Sequence, residues 1–210
     1  MAIPASLPQR VFLLAYNPDK GRVGMTTELG AMLRAAALTD LYLNGHLTDE
    51  NGRAAVTRHP SLDPVLAAIL DEIAASRPRK WQSWVGRRQG AAVKAVRQQL
   101  GDGGWVRLEP RKILGLFPTT RVTIRDPRVR KEVLGRVGGA LKNPLGRTDP
   151  ADAALVAIAA AGDLGIVLDR KARRAHKRRI QELTKLSGRS GPPCASRSRP
   201  MPLRGDRPRT

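Results

Sequence analysis

Apolar residues recur every three to four positions along most of this chain, and this spacing predicts helices. The clearest run covers 26–44 and consists almost entirely of leucine, alanine, methionine and glycine. Thr26 is placed to cap such a helix and Gly45 is placed to end it. This run is therefore predicted to be one helix with little polar surface.

Three Asp-Pro pairs mark the starts of further helices, because aspartate is a favoured N-cap and proline fits the first helical turn. The pairs begin at Asp63, Asp126 and Asp149, and each precedes a periodic apolar run. The helices predicted after these pairs cover about 63–76, 127–141 and 150–161, and others are predicted at 78–85, 90–100 and the very basic 170–186.

Strand patterns are fewer. Asn51-Gly52 lies between short stretches within 46–56 and predicts a hairpin from its turn chemistry. A second hairpin is predicted over 105–124, where apolar residues alternate or run together. The expected fold class is mainly α, a single compact helical domain over 1–186 with two small β-hairpins. The Arg/Pro/Ser-rich segment 187–210 is expected to be a disordered basic tail.

The charge balance predicts an anionic partner. Among 210 residues, 38 are Lys or Arg and 18 are Asp or Glu, which gives a formal net charge of +20. The predicted tail holds six arginines and one aspartate, so most of the excess belongs to the folded part. Nucleic acid, an acidic protein and the negative face of a membrane are the candidate partners. The small number of aromatic residues argues against a single-strand nucleic-acid binder, which stacks bases on rings.

The sequence lacks the residues that several classes of function require. The single cysteine, Cys194, cannot form a disulfide framework or a zinc site, which favours a reducing, cytoplasmic setting. The start of the chain does not resemble a signal peptide, and no uninterrupted apolar run is long enough to span a bilayer. Histidines 46, 59 and 176 have no metal-ligand spacing, and no phosphate loop or nucleophile motif is present. We therefore expect neither an enzyme nor a cofactor.

Arg34 is the most informative single residue, because it is the only cation in the run 26–44. Its nearest charges in the run, Glu28 and Asp40, are each six positions away, about 240° around a helix, so neither can pair with it as a helical neighbour. The guanidinium must reach water, find a partner from another segment, or hold an anion from outside the protein. Snorkelling to solvent is the ordinary outcome for such a residue.

Two further groups of cations are candidates for anion binding. Lys94 and Arg97 share a face of the predicted helix 90–100, and 76–101 contains no Asp or Glu that could neutralise them locally. A solvated face is the ordinary interpretation of such a pair. The block 170–179 is the second group, with seven Lys or Arg in ten residues, and either a solvated helix or a surface that adds to membrane or nucleic-acid attraction fits it.

The order of several segments resembles a known family. These segments are Leu7–Ala15, 33–41, 43–47, 93–100 with the hairpin after it, and 149–165. In this order they are similar to the Golgi phosphoprotein 3 family over about residues 7–185, and the Arg/Ala/Gly-rich composition resembles the bacterial, actinobacterial branch.

The resemblance implies a mainly helical domain that binds phosphatidylinositol 4-phosphate at a membrane surface as a peripheral protein. It implies that the headgroup pocket falls on Arg34, Lys94 and Arg97. Met25 aligns with the pocket tryptophan of the family, so the indole donor is lost here and another anionic phospholipid is an open alternative. It also implies a homo-oligomer through the hairpin 105–124, where core packing explains the same apolar residues equally well.

Two functions therefore stand side by side. The first is a peripheral membrane protein that binds a phosphoinositide headgroup through a basic pocket. The second is a winged-helix type DNA-binding protein, because a helix followed by a hairpin occurs twice and a basic chain suits phosphate backbones. The first requires that Arg34, Lys94 and Arg97 meet in one cavity.

Overall fold

The computed structural model describes residues 2–23, 28–57, 63–113 and 117–188. Over these residues the chain forms a mainly α domain, as expected, with nine α-helices and three small antiparallel sheets. The helices are α1 (Leu7–Ala15), α2 (Leu29–Leu43), α3 (Pro64–Ala74), α4 (Trp81–Val85), α5 (Gln89–Asp102), α6 (Pro127–Lys142), α7 (Pro150–Ala161), α8 (Arg170–Ala175) and α9 (Lys177–Gly188).

All strands pair in antiparallel fashion. The strands are β1 (Tyr16–Asn17), β2 (Arg22–Val23), β3 (Leu47–Glu50), β4 (Arg53–Val56), β5 (Arg79–Lys80), β6 (Val106–Ile113) and β7 (Phe117–Ile124). β1 pairs with β2, β4 lies between β3 and β5, and β6 pairs with β7. Asn51 and Gly52 join β3 to β4 with φ values of 54° and 78°, so both adopt the left-handed conformation of a tight hairpin turn. Both predicted hairpins are thus confirmed.

The helix α2 forms the centre of the core. Leu33, Leu38 and Leu41 are almost fully buried, and so are the intervening alanines. Neighbouring helices α1, α3, α5 and α7 all contact α2. A helix that is apolar on every side is stable only where other elements cover it completely, and this arrangement provides that cover.

The few polar residues of α2 hold other elements in place. The Asp40 carboxylate accepts hydrogen bonds from the Leu7 amide at 2.7 Å and from the Asn44 side chain at 2.7 Å. Burial raises the pKa of Asp40, and the bond from the Leu7 amide opposes this shift. Because Leu7 opens α1, a carboxylate of the core helix satisfies a free N–H at the start of its neighbour.

The predicted helix starts at the Asp-Pro pairs are confirmed. The side chains of Asp63, Asp126 and Asp149 each accept a hydrogen bond from a backbone N–H in the first turn that follows. The predicted stop of α2 also holds, since Gly45 takes a φ of +72° two residues after the last helical position.

Other expectations need correction. Position 176 divides the predicted helix 170–186 into α8 and α9, and α9 continues to residue 188, past the predicted start of the tail. The predicted helix 78–85 starts later, because Arg79 and Lys80 pair with β4 instead. The helix predicted over 26–44 begins at Leu29 with Glu28 at its N-cap, so its predicted start is three residues too early. Thr26, the rest of the predicted tail, 189–210, and 114–116 in the predicted self-association segment lie outside the described residues.

Gly30 allows α2 to lie against the start of α5. A Cβ at this position would come within 2.6 Å of the Gln89 Cβ and 2.9 Å of the Gln89 carbonyl oxygen. Because one of these contacts is backbone, a substitution cannot be relieved by turning a side chain. Gly30 also lies four residues before Arg34, so both face the same side of α2.

We expect Gly30→Ala to lower the free energy of unfolding by about 1–3 kcal/mol, because α5 must move to accept the methyl group. Gly135→Ala in α6 is the matched control, since no atom lies within 4 Å of a Cβ built there. This control should raise the free energy of unfolding by about 0.5–1 kcal/mol. Urea denaturation measures the free energy of unfolding of both variants. Equal changes in the two would contradict the close approach of Gly30 to Gln89.

Candidate functional site

Arg34 is buried in the domain and does not reach solvent. It is 2% exposed, and its Nε donates a hydrogen bond of 3.0 Å to the carbonyl oxygen of Trp84. Its Nη1 donates at 3.0 Å to Oε2 of Glu72. Its Nη2 is buried and has no hydrogen-bond partner among the described residues. Of the outcomes considered from the sequence, a partner from another segment is the one observed.

Glu72 of α3 gathers three guanidinium groups. Besides Arg34, its Oε1 accepts a hydrogen bond of 2.9 Å from Nε of Arg87 and lies 4.0 Å from Nε of Arg88. We call Arg34, Arg87, Arg88 and Glu72 the arginine cluster. Three cations surround one carboxylate, so the cluster carries a net positive charge of about two. Such an arrangement favours an additional anion.

The electrostatics of the cluster keep its members ionised. Burial tends to raise the pKa of Glu72, but the hydrogen bonds and charges of Arg87 and Arg34 outweigh it and hold the pKa below its usual value. Burial lowers the pKa of Arg34, and the neighbouring Glu72 carboxylate opposes that shift. An arginine remains charged even so, because its ordinary pKa is very high.

The segment before α5 presents two of the arginines. Trp81 and Trp84 are buried and fix α4, and the Arg87 guanidinium lies 5.5 Å from the centre of the Trp84 ring, within range of a cation–π interaction. Arg88 follows with a φ of 43°, in the left-handed region, and its side chain is 70% exposed. No side chain caps the start of α5, so the positive end of that helix dipole lies beside the cluster.

The arginine cluster forms one end of a groove between α3 and α5. The groove has a volume of about 620 Å³, and Arg34, Glu72 and Arg88 line it. At its other end Gln99 of α5 donates a hydrogen bond of 2.8 Å to Asp63. Most of the remaining wall is apolar, from Pro64, Val65, Ala68, Ile69, Ala91, Ala92 and Ala95. We call this the α3–α5 groove.

The structure does not gather the predicted site residues in one cavity. Lys94 is exposed, Arg97 is half-buried, and neither lines the groove that Arg34 lines. Ala95 of α5 lines the groove. Each residue turns a helix by about 100°, so around the axis of α5 Lys94 lies about 100° from Ala95 and Arg97 lies about 200° from it. Met25 lies outside the described residues. A role of Lys94, Arg97 and Met25 in binding lipid therefore stays a prediction.

The acidic member of the cluster was not predicted from the sequence, although a signal was present. Asp71 and Glu72 are the only acidic residues between Pro64 and Gly101, in a stretch that is otherwise apolar or basic. A pair of carboxylates on the helix before a basic segment offers a natural partner for a buried arginine. Nothing in the sequence showed which arginine would reach it.

Comparison with known families decides where the chain belongs. A family model described as Golgi phosphoprotein 3 (GPP34) matches residues 7–197. This chain belongs to the Golgi phosphoprotein 3 family. The family resemblance inferred from the sequence is thus confirmed. A search of curated proteins finds no match.

Two further observations concern this member of the Golgi phosphoprotein 3 family. Among its described helices, none combines the length and the apolar character that crossing a bilayer would take. In the same part of the chain, no three histidine, cysteine or acidic side chains lie close enough together to hold a metal ion. The arginine cluster can hold an anion by charge-assisted hydrogen bonds.

We expect Glu72→Gln to lower the free energy of unfolding at pH 7 by about 2 kcal/mol, because Arg34 loses its buried counter-charge. The pKa of Glu72 is lower in the folded protein than in the unfolded chain, where it is about 4.3. The ionised carboxylate therefore stabilises the fold fully above that pH, and the stabilisation is lost as the pH falls through the pKa of the folded protein. The difference between the two proteins should therefore shrink below about pH 4.

Urea denaturation of both proteins between pH 7 and pH 3 measures this difference. The control is Glu132→Gln, which removes an exposed carboxylate 3.7 Å from Nε of Arg136 and should cost less than about 0.5 kcal/mol. An effect of Glu72→Gln that stayed constant down to pH 3 would contradict the assignment.

Proposed function

We propose that this chain is a peripheral membrane protein that binds the phosphorylated headgroup of an anionic lipid, of the phosphatidylinositol 4-phosphate type. The site is the Arg34 end of the α3–α5 groove. The observation that carries the proposal is the excess of three guanidinium groups over one carboxylate beside an open groove. The activity expected from the family resemblance points in the same direction.

The charge of the ligand matches the charge of the cluster. A phosphate monoester carries about −1.5 to −2 near pH 7 and presents three acceptor oxygens. The arginine cluster has a net charge of about +2, and the uncapped start of α5 adds free N–H donors next to it. A phosphate group at this end would bring the local charge close to neutral.

Phosphate can bind without breaking the internal ion pair. Arg34 uses its Nε and Nη1 for Trp84 and Glu72, and its buried Nη2 has no hydrogen-bond partner among the described residues, so it becomes a donor to phosphate once the side chains that cover it move aside. Arg88 is mostly exposed, and its Nε lies 4.0 Å from Glu72, too far for a hydrogen bond, so its side chain is free to turn toward a ligand. The buried pair therefore holds the site in shape while the outer arginine adapts.

The rest of the basic surface adds a less specific attraction. Each Lys or Arg near an anionic leaflet contributes on the order of 1 kcal/mol, and this contribution weakens with salt. Lys94 is exposed on α5, and the basic block 170–179 occupies α8 and the start of α9. We assign these residues to the membrane approach, and Arg34 with Arg88 to the headgroup.

The DNA-binding alternative gains no support from the fold. A recognition helix reads bases with polar side chains on an exposed face. The helix before the longer hairpin is α5, whose Ala91, Ala92 and Ala95 line the groove. On its exposed face Gln98 already donates a hydrogen bond of 2.9 Å to Asp102. Duplex DNA nevertheless serves as a direct comparison in the experiment below.

We expect Arg88→Ala to weaken binding to phosphatidylinositol 4-phosphate vesicles about tenfold or more, because a charge-assisted hydrogen bond contributes about 1.5–3 kcal/mol. Vesicle flotation against phosphatidylserine vesicles of equal charge measures the headgroup-dependent part. The matched control is Arg178→Ala, whose side chain is 95% exposed on α9 and should affect both vesicle types slightly and equally.

The double variant Lys94→Ala/Arg97→Ala separates the two roles of the basic residues. We expect it to lower flotation on both vesicle types by a similar factor, whereas a loss confined to phosphatidylinositol 4-phosphate would assign the headgroup to these residues, as the family resemblance implies. Equal flotation of the unaltered protein on both vesicle types would show that membrane binding depends only on the total charge of the vesicle and not on the headgroup. Tighter binding to duplex DNA at matched salt would favour the alternative.

A further inference from the structure

The α3–α5 groove has a polar end opposite the arginine cluster. Glu72, near the end of α3, lies beside Arg88 at the start of α5. Asp63, before α3, accepts a hydrogen bond from Gln99 near the end of α5. The two helices are therefore antiparallel, and the helical rise places Pro64 about 12 Å from Glu72 along α3. The proposed phosphate contact occupies only the cationic end and leaves the other end unexplained.

Gln9 of α1 presents a donor to the groove. It lines the groove although it is only 7% exposed. The Ser6 hydroxyl donates a hydrogen bond of 3.0 Å to its Oε1, and its Nε2 has no hydrogen-bond partner among the described residues. The two hydrogens of this amide are therefore available to a ligand.

The start of α1 lies at the polar end. The amide of Leu7, two residues before Gln9, donates a hydrogen bond to Asp40. Burial raises the pKa of Asp40, and the charge of Asp63 adds to this rise, so these two carboxylates are near each other. Gln9 and Gln99 therefore belong to the same end of the groove.

Gln99 brings a second carboxamide to this end. Its Nε2 donates a hydrogen bond of 2.8 Å to Oδ2 of Asp63, while its Oε1 is buried and has no partner among the described residues. A buried acceptor without a donor is unfavourable. A hydroxyl group of a ligand would relieve this cost once the amide turns toward the groove.

The charges at the polar end disfavour a phosphate and favour hydroxyl groups. Besides Asp63, the exposed rim carries Asp102, which accepts a hydrogen bond of 2.9 Å from Gln98. Carboxylates repel a phosphate but accept hydrogen bonds from hydroxyl groups. A carboxamide both donates and accepts, as a hydroxyl group does. The two ends of the groove therefore differ in the chemistry they bind.

The walls between the two ends suit the carbon skeleton of a ring. Val65, Ala68 and Ile69 of α3 face Ala95 of α5 across the groove. In a ring whose hydroxyl groups lie mostly in its plane, the two faces consist of C–H groups, which pack against methyl groups without losing hydrogen bonds. A phosphate on one six-membered ring, with a hydrogen bond of about 3 Å at each end, spans the length of the groove.

We propose that Gln9 and Gln99, at the polar end of the α3–α5 groove, bind the hydroxyl groups of a polyol ring whose phosphate is held by the arginine cluster. This inference rests on the proposed function and deepens it, because it names the residues that distinguish a phosphorylated ring from a simple phosphate monoester. The ring carbon that carries the lipid faces the open side of the groove. A lipid headgroup and a free polyol phosphate share this chemistry.

The test compares myo-inositol 4-phosphate with cyclohexyl phosphate, which has a ring of the same size and one phosphate but no hydroxyl groups. Isothermal titration calorimetry should show that the inositol compound binds at least about tenfold more tightly, because it forms additional hydrogen bonds at the polar end. Equal affinities of the two compounds would overturn the inference.

Two variants assign the hydroxyl contacts. Gln9→Met and Gln99→Met keep the length of the side chain but remove its amide, so each should reduce the difference in affinity between the two compounds while cyclohexyl phosphate binds no more weakly than before. Gln181→Met is the matched control and should change neither affinity, because Gln181 is exposed on α9. Urea denaturation shows whether each variant is folded, and the comparison on the unaltered protein needs no variant. A difference in affinity that stays unchanged in both groove variants would overturn the proposal.

Failure of this inference differs from failure of the proposed function. If the two compounds bind equally well and Arg88→Ala weakens both, the phosphate site stands and only the ring inference falls. If neither compound binds and the protein does not prefer phosphatidylinositol 4-phosphate vesicles, the proposed function falls with it. If myo-inositol 4-phosphate binds as expected but the protein does not float with vesicles, the ring site stands and its ligand is a free polyol phosphate instead of a lipid.

Discussion

The ion pair between Arg34 and Glu72 is the interaction on which the arrangement of this molecule depends. A guanidinium in the middle of an otherwise apolar core helix loses its hydration, and the fold must supply a counter-charge and acceptors in exchange. Glu72 provides the charge and the Trp84 carbonyl provides a further acceptor. Through these contacts one side chain joins α2 to α3 and α4, and the position of α5 follows because α5 begins directly after α4.

The same helix shows how a core can use its rare polar residues. Arg34 organises the side of α2 that faces the groove, and Asp40 accepts the amide at the start of α1 on its other side. Gly30 completes the arrangement, because its missing side chain lets the start of α5 approach the backbone of α2. Apolar burial supplies most of the stability, while Gly30, Arg34 and Asp40 determine where the neighbouring elements lie.

Much of the fold could be predicted because its signals are local. Helices α3, α6 and α7 follow Asp-Pro caps, and the hairpin β3–β4 follows an Asn-Gly turn, so a few adjacent residues decide each element. The site could be predicted only in part. Arg34 was found because it interrupts an apolar run, but its partner lies 38 positions away, and that pairing depends on how α2 and α3 pack. Lys94 and Arg97 were correctly placed on a helix, but the face they occupy was fixed by tertiary packing.

The backbone at Arg88 carries a cost that the site makes understandable. A left-handed φ of 43° is unfavourable for any residue with a side chain, by about 1–2 kcal/mol, and glycine would adopt it freely. Pressure toward thermostability alone would therefore place glycine at this turn. Arginine stands there instead, so this turn gives up stability while it keeps a guanidinium 4.0 Å from Glu72, and such local strain is common at functional sites.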